Sequence, residues 1–215
     1  MAATALKLHS FFNSSASYRV RIALNLKGLK WEHVGVNIRT GAQNVDTYRR
    51  LNPAALVPTL EHNAYSLTQS LVIIDYLDRM QREPLLVPSD GRSRDRALEI
   101  AQLVACDIHP INNLRVLKYL TGVVGLTEAQ KNAWIAHWIG LGFDAVEKLI
   151  HADEWCVGGH PTIADCCLIP QVANARRAGV DINRWPLIAQ VETRASTVAA
   201  FVAAAPDKQP DYVSA

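Results

Sequence analysis

The sequence has no uncharged apolar run approaching the roughly 20 residues needed to span a bilayer, so it offers no candidate transmembrane helix. Its basic residues never gather. The densest clusters are pairs such as Arg49-Arg50 and Arg176-Arg177, and 22 basic against 20 acidic side chains leave a formal charge of +2. Nucleic-acid and membrane-surface partners both need a concentrated cationic face, and neither is expected. Cysteine is scarce: Cys106, Cys156, Cys166 and Cys167 show no C-x-x-C spacing and no histidines at zinc-finger distances, and a disulfide between the adjacent pair would be strained. They read as buried thiols, and no metal site is expected. The N-terminal residues lack a basic stretch followed by an apolar core, which predicts a cytoplasmic protein without a leader. Internal repeats and low-complexity segments are absent. What is present is 215 residues, 49% hydrophobic and 20% charged, ordinary for a soluble globular protein with one large core or two small ones.

The first part of the chain alternates in character. Leu6-Lys7-Leu8-His9 places two leucines on one face of a short strand, and Val20, Ala23, Leu24 and Leu26 then follow helical spacing. A second strand is expected around Glu32 to Val36 and a helical stretch near Gln43 to Arg50. Two runs of apolar/polar alternation around Asn63-Ala64 predict a hairpin, and a helix follows from Ser70 with Leu71, Ile74 and Leu77 at core spacing. This βαβαββα order is that of a thioredoxin-like α/β domain over residues 1–84. Two prolines and a glycine between Glu83 and Gly91 predict a linker. Strand signals then nearly vanish, and residues 92–215 read as an all-helical bundle domain. Its helices are expected from Arg94 to Cys106, from Ile111 to Leu120 beyond a kink at Pro110, over 128–150 behind Thr127, over 163–177 behind Thr162, and over the alanine-rich 196–205. From Pro206 onward the chain reads as a tail with little to bury.

Ser14, Ser15 and Ser17 fall where the first strand should turn into a helix. The first turn of a helix carries unpaired N–H groups and the positive end of the dipole, so an anion placed there is stabilised and a hydroxyl adds a donor. Capping alone would also explain the serines. Such a place can hold a thiolate, since a helix N-terminus depresses a thiol pKa that otherwise lies near 8.5.

Five stretches, in order, resemble the zeta-class glutathione transferases, among them the bacterial maleylacetoacetate and maleylpyruvate isomerases. They are Ser14-Ser15-Ala16-Ser17-Tyr18-Arg19-Val20-Arg21-Ile22-Ala23-Leu24; Leu51-Asn52-Pro53 with Val57-Pro58-Thr59-Leu60; Gln69-Ser70-Leu71; Asp107-Ile108-His109-Pro110-Ile111-Asn112-Asn113-Leu114-Arg115; and Ala164-Asp165-Cys166-Cys167-Leu168-Ile169-Pro170-Gln171-Val172-Ala173-Asn174-Ala175-Arg176-Arg177. The resemblance implies the glutathione transferase fold, a homodimer, and glutathione as cofactor, with Ser14 and Ser15 catalytic. It implies a binding set of Ser14, Ser15, Ala16, Ser17, Tyr18, Arg19, Gln43, Val57, Pro58, Gln69, Ser70, His109, Asn113, Leu114 and Arg115. It further implies a cis peptide at Val57-Pro58, the γ-glutamyl carboxylate at Gln69-Ser70, the glycyl end at Gln43, a binding role for His109, and Arg115 and Arg177 as anchors for a small dicarboxylate substrate. The implied reaction is cis–trans isomerisation of maleylacetoacetate to fumarylacetoacetate, a step of tyrosine and homogentisate breakdown. The same chemistry on maleylpyruvate, conjugation or dehalogenation of small halo acids, and a non-catalytic binding role are the alternatives. Two departures stand out: Ala16 occupies a position where many members carry cysteine, and Asn13 one where related isomerases carry an arginine. The nucleophilic sulfur is therefore expected from glutathione and not from the protein.

Overall fold

The structure, a computed structural model, describes residues 6–151 and 154–214, so the first residues, from which the lack of a leader was read, lie largely outside it. The described chain divides into two units: one is formed within Met1–Leu86 together with Ser196–Ala215, the other is Val87–Ala195. Among the described residues no helix is long and apolar enough to cross a membrane.

The first unit runs β1 (Leu6–Ser10), α1 (Ser15–Leu26), β2 (Trp31–Gly35), a single 3-10 turn at Ala42–Asn44, α2 (Asp46–Leu51), β3 (Thr59–His62), β4 (Tyr65–Thr68) and α3 (Ser70–Met80). This is the expected thioredoxin-like order. The four strands lie in the order β2-β1-β3-β4. β1 and β2 pair in parallel, and β3 is antiparallel to both β1 and β4, so β1, β2 and β4 all run in the same direction. Alternation along β1 buries Leu6 and Leu8 while Lys7 stays exposed, which gives the sheet an apolar face. Val20, Ala23 and Leu24 of α1 and Ile73, Ile74 and Leu77 of α3 are buried as well, and the two helices pack on each other. Asn63 takes the positive φ (58°) that the two-residue hairpin turn requires. Beyond α3, the buried Lys27 ammonium lies 2.7 Å from Asp78 and donates to the Gln81 and Pro84 carbonyls, while Asp78 accepts the Leu86 N–H at 3.0 Å. The first residues of the expected linker are thus tied to the unit that precedes it.

The second unit is helical: α4 (Gly91–Gln102), α5 (Leu114–Gly122), α6 (Glu128–Leu149), α7 (Ile163–Arg177) and α8 (Pro186–Ala195). The capping boxes at Thr127 and Thr162 both form. Asp165, although shorter than the usual Glu or Gln, accepts from the Thr162 N–H at 2.7 Å and from the Cys156 N–H at 2.9 Å. Three expectations need correction. The helix from Arg94 does not stay α-helical to Cys106: it passes after Gln102 into a π-helical segment, Leu103–Ile108, then a 3-10 turn at Pro110–Asn112, and Asn113 starts a new helix. α8 was not anticipated. Cys106 is exposed, and only Cys156, Cys166 and Cys167 are buried.

The C-terminal segment departs most from expectation. α9 (Ala199–Ala204) packs along α1, and Phe201 and Ala204 are buried. The residues after Pro206 are anchored rather than loose: buried Gln209 donates to the Ala203 and Ala205 carbonyls, and Asp211 accepts the Phe12 N–H at 3.0 Å. Arg21, with 0% exposure, joins the segment to the β1–α1 turn. Its Nε donates to the Ala204 carbonyl at 2.9 Å, one terminal nitrogen to Ser10 Oγ (3.1 Å) and the Phe11 carbonyl (3.3 Å), and the other to the Phe12 carbonyl (3.0 Å). Burial lowers its pKa to about 10, which still leaves it charged at neutral pH.

Each buried carbonyl left without a donor costs about 1–3 kcal/mol. Arg21→Met is therefore expected to lower the unfolding free energy by about 3 kcal/mol or more, measured by urea titration, and a loss below about 1 kcal/mol would contradict this placement. His33 supplies a pH dependence. Desolvation holds its pKa below 6.5, against an opposing pull from Asp211, which Arg21 weakens. Between the depressed folded value and the unfolded value near 6.5 the unfolded chain binds more protons, so stability rises with pH through that window and is lost as pH falls. Urea midpoints at pH 5 and 7 should differ in that sense, and by less in His33→Asn.

Candidate active site

The sheet topology brings four loops to one edge. Because β1, β2 and β4 run together and β3 against them, the carboxyl ends of β1, β2 and β4 lie beside the amino end of β3: Ser10 pairs with Gly35, and His9 and Thr68 both pair with Thr59. Ser14 and Ser15 follow β1, Gln43 follows β2, Val57-Pro58 precedes β3, and Gln69-Ser70 follows β4. A small core lies beneath these loops, made by Phe11, Phe12, Val36, Tyr48 and Val57 with Ile38 and Ala42 packed against it.

Ser14 is the N-cap of α1, with φ −80° and ψ 117°, and its hydroxyl oxygen accepts from the Ser17 N–H at 3.1 Å. The cap uses an oxygen lone pair and leaves the hydroxyl hydrogen to donate elsewhere, so capping and holding an anion are compatible in one side chain. No acidic residue occupies the first turn of α1, so nothing opposes its positive end. Ser14 and Ala16 are partly exposed, whereas Ser15 and Ser17 are buried.

Ser17, Tyr18 and Arg19, expected in the binding set, turn inward. Ser17 has 0% exposure. The Tyr18 hydroxyl donates to the Phe201 carbonyl at 3.4 Å, and a terminal nitrogen of Arg19 donates to Ser70 Oγ at 3.2 Å. The cause is that residues 17 to 24 of α1 are all buried, with α9 and α3 packed against the helix. Arg19 thereby ties α1 to the first residue of α3, and Ser70 is oriented by it.

Val57-Pro58 is a cis peptide, and the β3 ladder begins only at Thr59, so the Val57 backbone lies outside the sheet pairing. Its position is set from behind: the Leu56 carbonyl accepts from the Tyr48 hydroxyl (2.6 Å) and from Asn52 Nδ2 (2.7 Å), and both donors also reach Thr59 Oγ1. Gln69 is exposed and held at φ 70°, a conformation uncommon outside glycine, where strain collects at ligand-binding turns. Gln43 lies in the 3-10 turn after β2, and its Oε1 is buried with no hydrogen-bond partner among the described residues.

In the second unit His109 is half-buried at the end of the π-helical segment. Asn113 was expected inside a helix running from Ile111 to Leu120. The 3-10 turn and the extended Asn113 backbone (ψ 150°) break that helix, and Asn113 instead caps α5, accepting the Arg115 N–H at 3.2 Å. Leu114 opens α5 half-buried and Arg115 is exposed. At the end of α7 the paired arginines differ: Arg176 makes a two-point ion pair with Glu192, whereas exposed Arg177 donates to Asn174 Oδ1 at 3.0 Å. The sequence reading missed Arg21, Tyr48, Asn52 and Asp211, all of which hold the loops from behind. Arg21 and Asn52 lay inside quoted motifs, and Tyr48 and Asp211 carried no local signal.

Residues 8–85 match the family "Glutathione S-transferase, N-terminal domain" and residues 139–204 "Glutathione S-transferase, C-terminal domain". The chain is 45% identical over 210 residues to a probable maleylacetoacetate isomerase of Vibrio cholerae serotype O1, covering 96% of this chain and 98% of that protein. It is also similar to the holo structure of a maleyl pyruvate isomerase, a bacterial glutathione S-transferase of the zeta class, with 44% identity, a TM-score of 0.94, and 96% and 100% of the two chains covered. The chain belongs to the zeta-class glutathione transferases. A maleylacetoacetate isomerase from Anaeromyxobacter dehalogenans 2CP-1, solved with dicarboxyethyl glutathione and citrate in its active site, is 31% identical with a TM-score of 0.85, covering 99% of this chain and 96% of that one.

For a glutathione transferase of this geometry, Ser14→Ala is expected to raise the thiol pKa of bound glutathione by about 1 to 2, since a hydrogen bond to a charged group is worth about 1.5–3 kcal/mol. Thiolate absorbance as a function of pH measures it. An unchanged titration would remove Ser14 from the site.

Proposed function

We propose that this chain is a glutathione-dependent cis–trans isomerase that converts maleylacetoacetate to fumarylacetoacetate. The observation that carries the reading is the capped, acid-free N-terminus of α1, with Ser14 on the sheet edge shared by Val57 and the start of α3. Those residues fit glutathione. The Ser70 hydroxyl and the first amides of α3 suit a γ-glutamyl carboxylate, the unladdered Val57 backbone suits a peptide, and the buried Gln43 Oε1 suits an N–H near the glycyl end. Bound glutathione supplies a thiol whose anion adds reversibly to the cis double bond, leaving a single bond about which rotation yields the trans product on elimination.

The protein's own residues have three tasks in this scheme. Ser14, with Ser15 and the α1 terminus, holds negative charge on sulfur and so keeps the nucleophile ionised at neutral pH. Arg19 keeps Ser70 oriented for the other end of the tripeptide. Arg177 and Arg115 bind the substrate carboxylates, for which a planar guanidinium is suited, while Arg176 is committed to Glu192. His109, Asn113 and Leu114 have binding roles in this reading, and Ala16 leaves the head of α1 without a cysteine of its own. The reading includes a homodimer acting in the cytoplasm.

A second substrate has specific support, because relatives named for maleylacetoacetate and for maleylpyruvate are similar to this chain to nearly the same degree. Both substrates should be assayed with glutathione and with its desulfurised analogue. Turnover of one or both is expected only with the thiol, and equal rates with the analogue would overturn the mechanism. Arg177→Ala is expected to raise KM about tenfold or more, on the scale of one lost charge-assisted hydrogen bond, and Arg176→Ala to leave it nearly unchanged.

A further inference from the structure

The turn that delivers Ser14 to the head of α1 is Phe11-Phe12-Asn13-Ser14, closed by the Ser14 N–H donating to the Phe11 carbonyl at 2.9 Å. Three further contacts hold its backbone. Arg21 donates to the carbonyls of Phe11 and Phe12, and the Phe12 N–H donates to Asp211 Oδ2 at 3.0 Å. Phe12 is buried, so its N–H has no ready substitute acceptor in solvent. Asp211 lies 199 residues further along the chain.

β2 is shaped to receive this carboxylate. His33 Nε2 lies 2.9 Å from Asp211 Oδ1, so both carboxylate oxygens face a polar group. Gly35, two residues on and on the same face of the strand, makes room: a Cβ there would stand 3.3 Å from the Asp211 Cβ. The next residue, Tyr212, sets its ring edge-on to Phe12 at 5.3 Å. Arg21 and His33 are the basic side chains whose titration Asp211 influences.

We propose that Asp211 is a positioning residue for the chemistry at Ser14: by accepting the Phe12 N–H it holds the β1–α1 turn in the one arrangement that aims the Ser14 hydroxyl at the glutathione sulfur. The inference rests on the isomerase reading above. Removing the acceptor leaves a buried N–H unsatisfied, and the turn relieves this by rotating its Phe12 peptide toward water. Asn13 and Ser14 follow that rotation. A shift of about 1 Å in a catalytic group costs on the order of a hundredfold in rate, so even partial rotation is visible in turnover.

The test titrates the thiol of glutathione bound to the full-length protein by thiolate absorbance, and measures kcat, KM and Tm, for wild type, Asp211→Ala and Asp211→Asn. Asp211→Ala is expected to raise the bound thiol pKa and to lower kcat about tenfold or more, with little change in KM for glutathione. Asp211→Asn, which keeps a carbonyl oxygen for the Phe12 N–H, is expected to restore both values toward wild type. An Asp211→Ala protein with lowered Tm but a wild-type thiol pKa and kcat overturns the proposal, because its role is then only structural. Asp211→Asn as impaired as Asp211→Ala overturns it too. Amide hydrogen exchange on the wild-type protein tests it without any variant: protection at Phe12 is expected, and rapid exchange there overturns it. A wild-type protein that binds glutathione without depressing its thiol pKa fails at the isomerase reading itself, and the inference falls with it.

Discussion

One of the buried cations of the first unit, Arg21, holds that unit together where its chemistry would occur. Among the described residues no carboxylate lies within hydrogen-bonding distance of Arg21; it is solvated by carbonyl dipoles and one hydroxyl, gathered from the β1–α1 turn on one side and from α9 on the other. A planar fork with five N–H donors can meet four such acceptors at once, and an ammonium could not match their geometry. Desolvating this charge is costly, and satisfied hydrogen bonds are what make the arrangement tolerable. The head of α1 is therefore located by its own cap and also by a carbonyl 183 residues away.

The sheet supplies the second constraint. A parallel pair joined through a helix, followed by a hairpin, leaves three strand ends and one strand start on the same edge. Two of those strand ends lead directly into helices, so two helix N-termini, α1 and α3, emerge on that edge, and the Arg19–Ser70 bond joins them. A ligand with one carboxylate and one thiolate meets a positive helix end for each. The edge is built from loops, yet three of the four are braced by buried side chains: Arg21 under the Ser14 turn, Tyr48 and Asn52 under Val57, and Arg19 under Ser70.

What could be read from sequence was what local chemistry determines. The cap at Ser14, the boxes at Thr127 and Thr162, the Asn63 hairpin and the strand–helix alternation each arise from residues a few positions apart. Side chains whose partners are distant left no such mark. Arg19 and Arg21 look like surface residues of an amphipathic helix, but α1 is buried on nearly all sides, so no apolar stripe distinguishes inward from outward. The alanine-rich stretch before Pro206 and the polar residues after it suggested a helix of the second unit and a loose tail, because small and polar residues carry little hydrophobic signal. They are bound by hydrogen bonds instead, through Ala204, Gln209 and Asp211. The break at Asn113 was hidden for a related reason: the apolar periodicity continues across it, while the backbone passes through π and 3-10 geometry.

The return of residues 196–214 to the first unit makes the helical unit an insertion, with chain from the other unit on both sides of it. Translation therefore produces the strands and the serine turn early and their last braces late, with 109 residues of helix and loop between Val87 and Ala195 made in the interval. Until Ala204 emerges, the Arg21 guanidinium lacks one of its carbonyl acceptors, and until Asp211 emerges the Phe12 amide lacks its carboxylate. The nascent first unit can form its sheet in that period but not the finished turn at Ser14, so the site matures only after the helical unit has been synthesised.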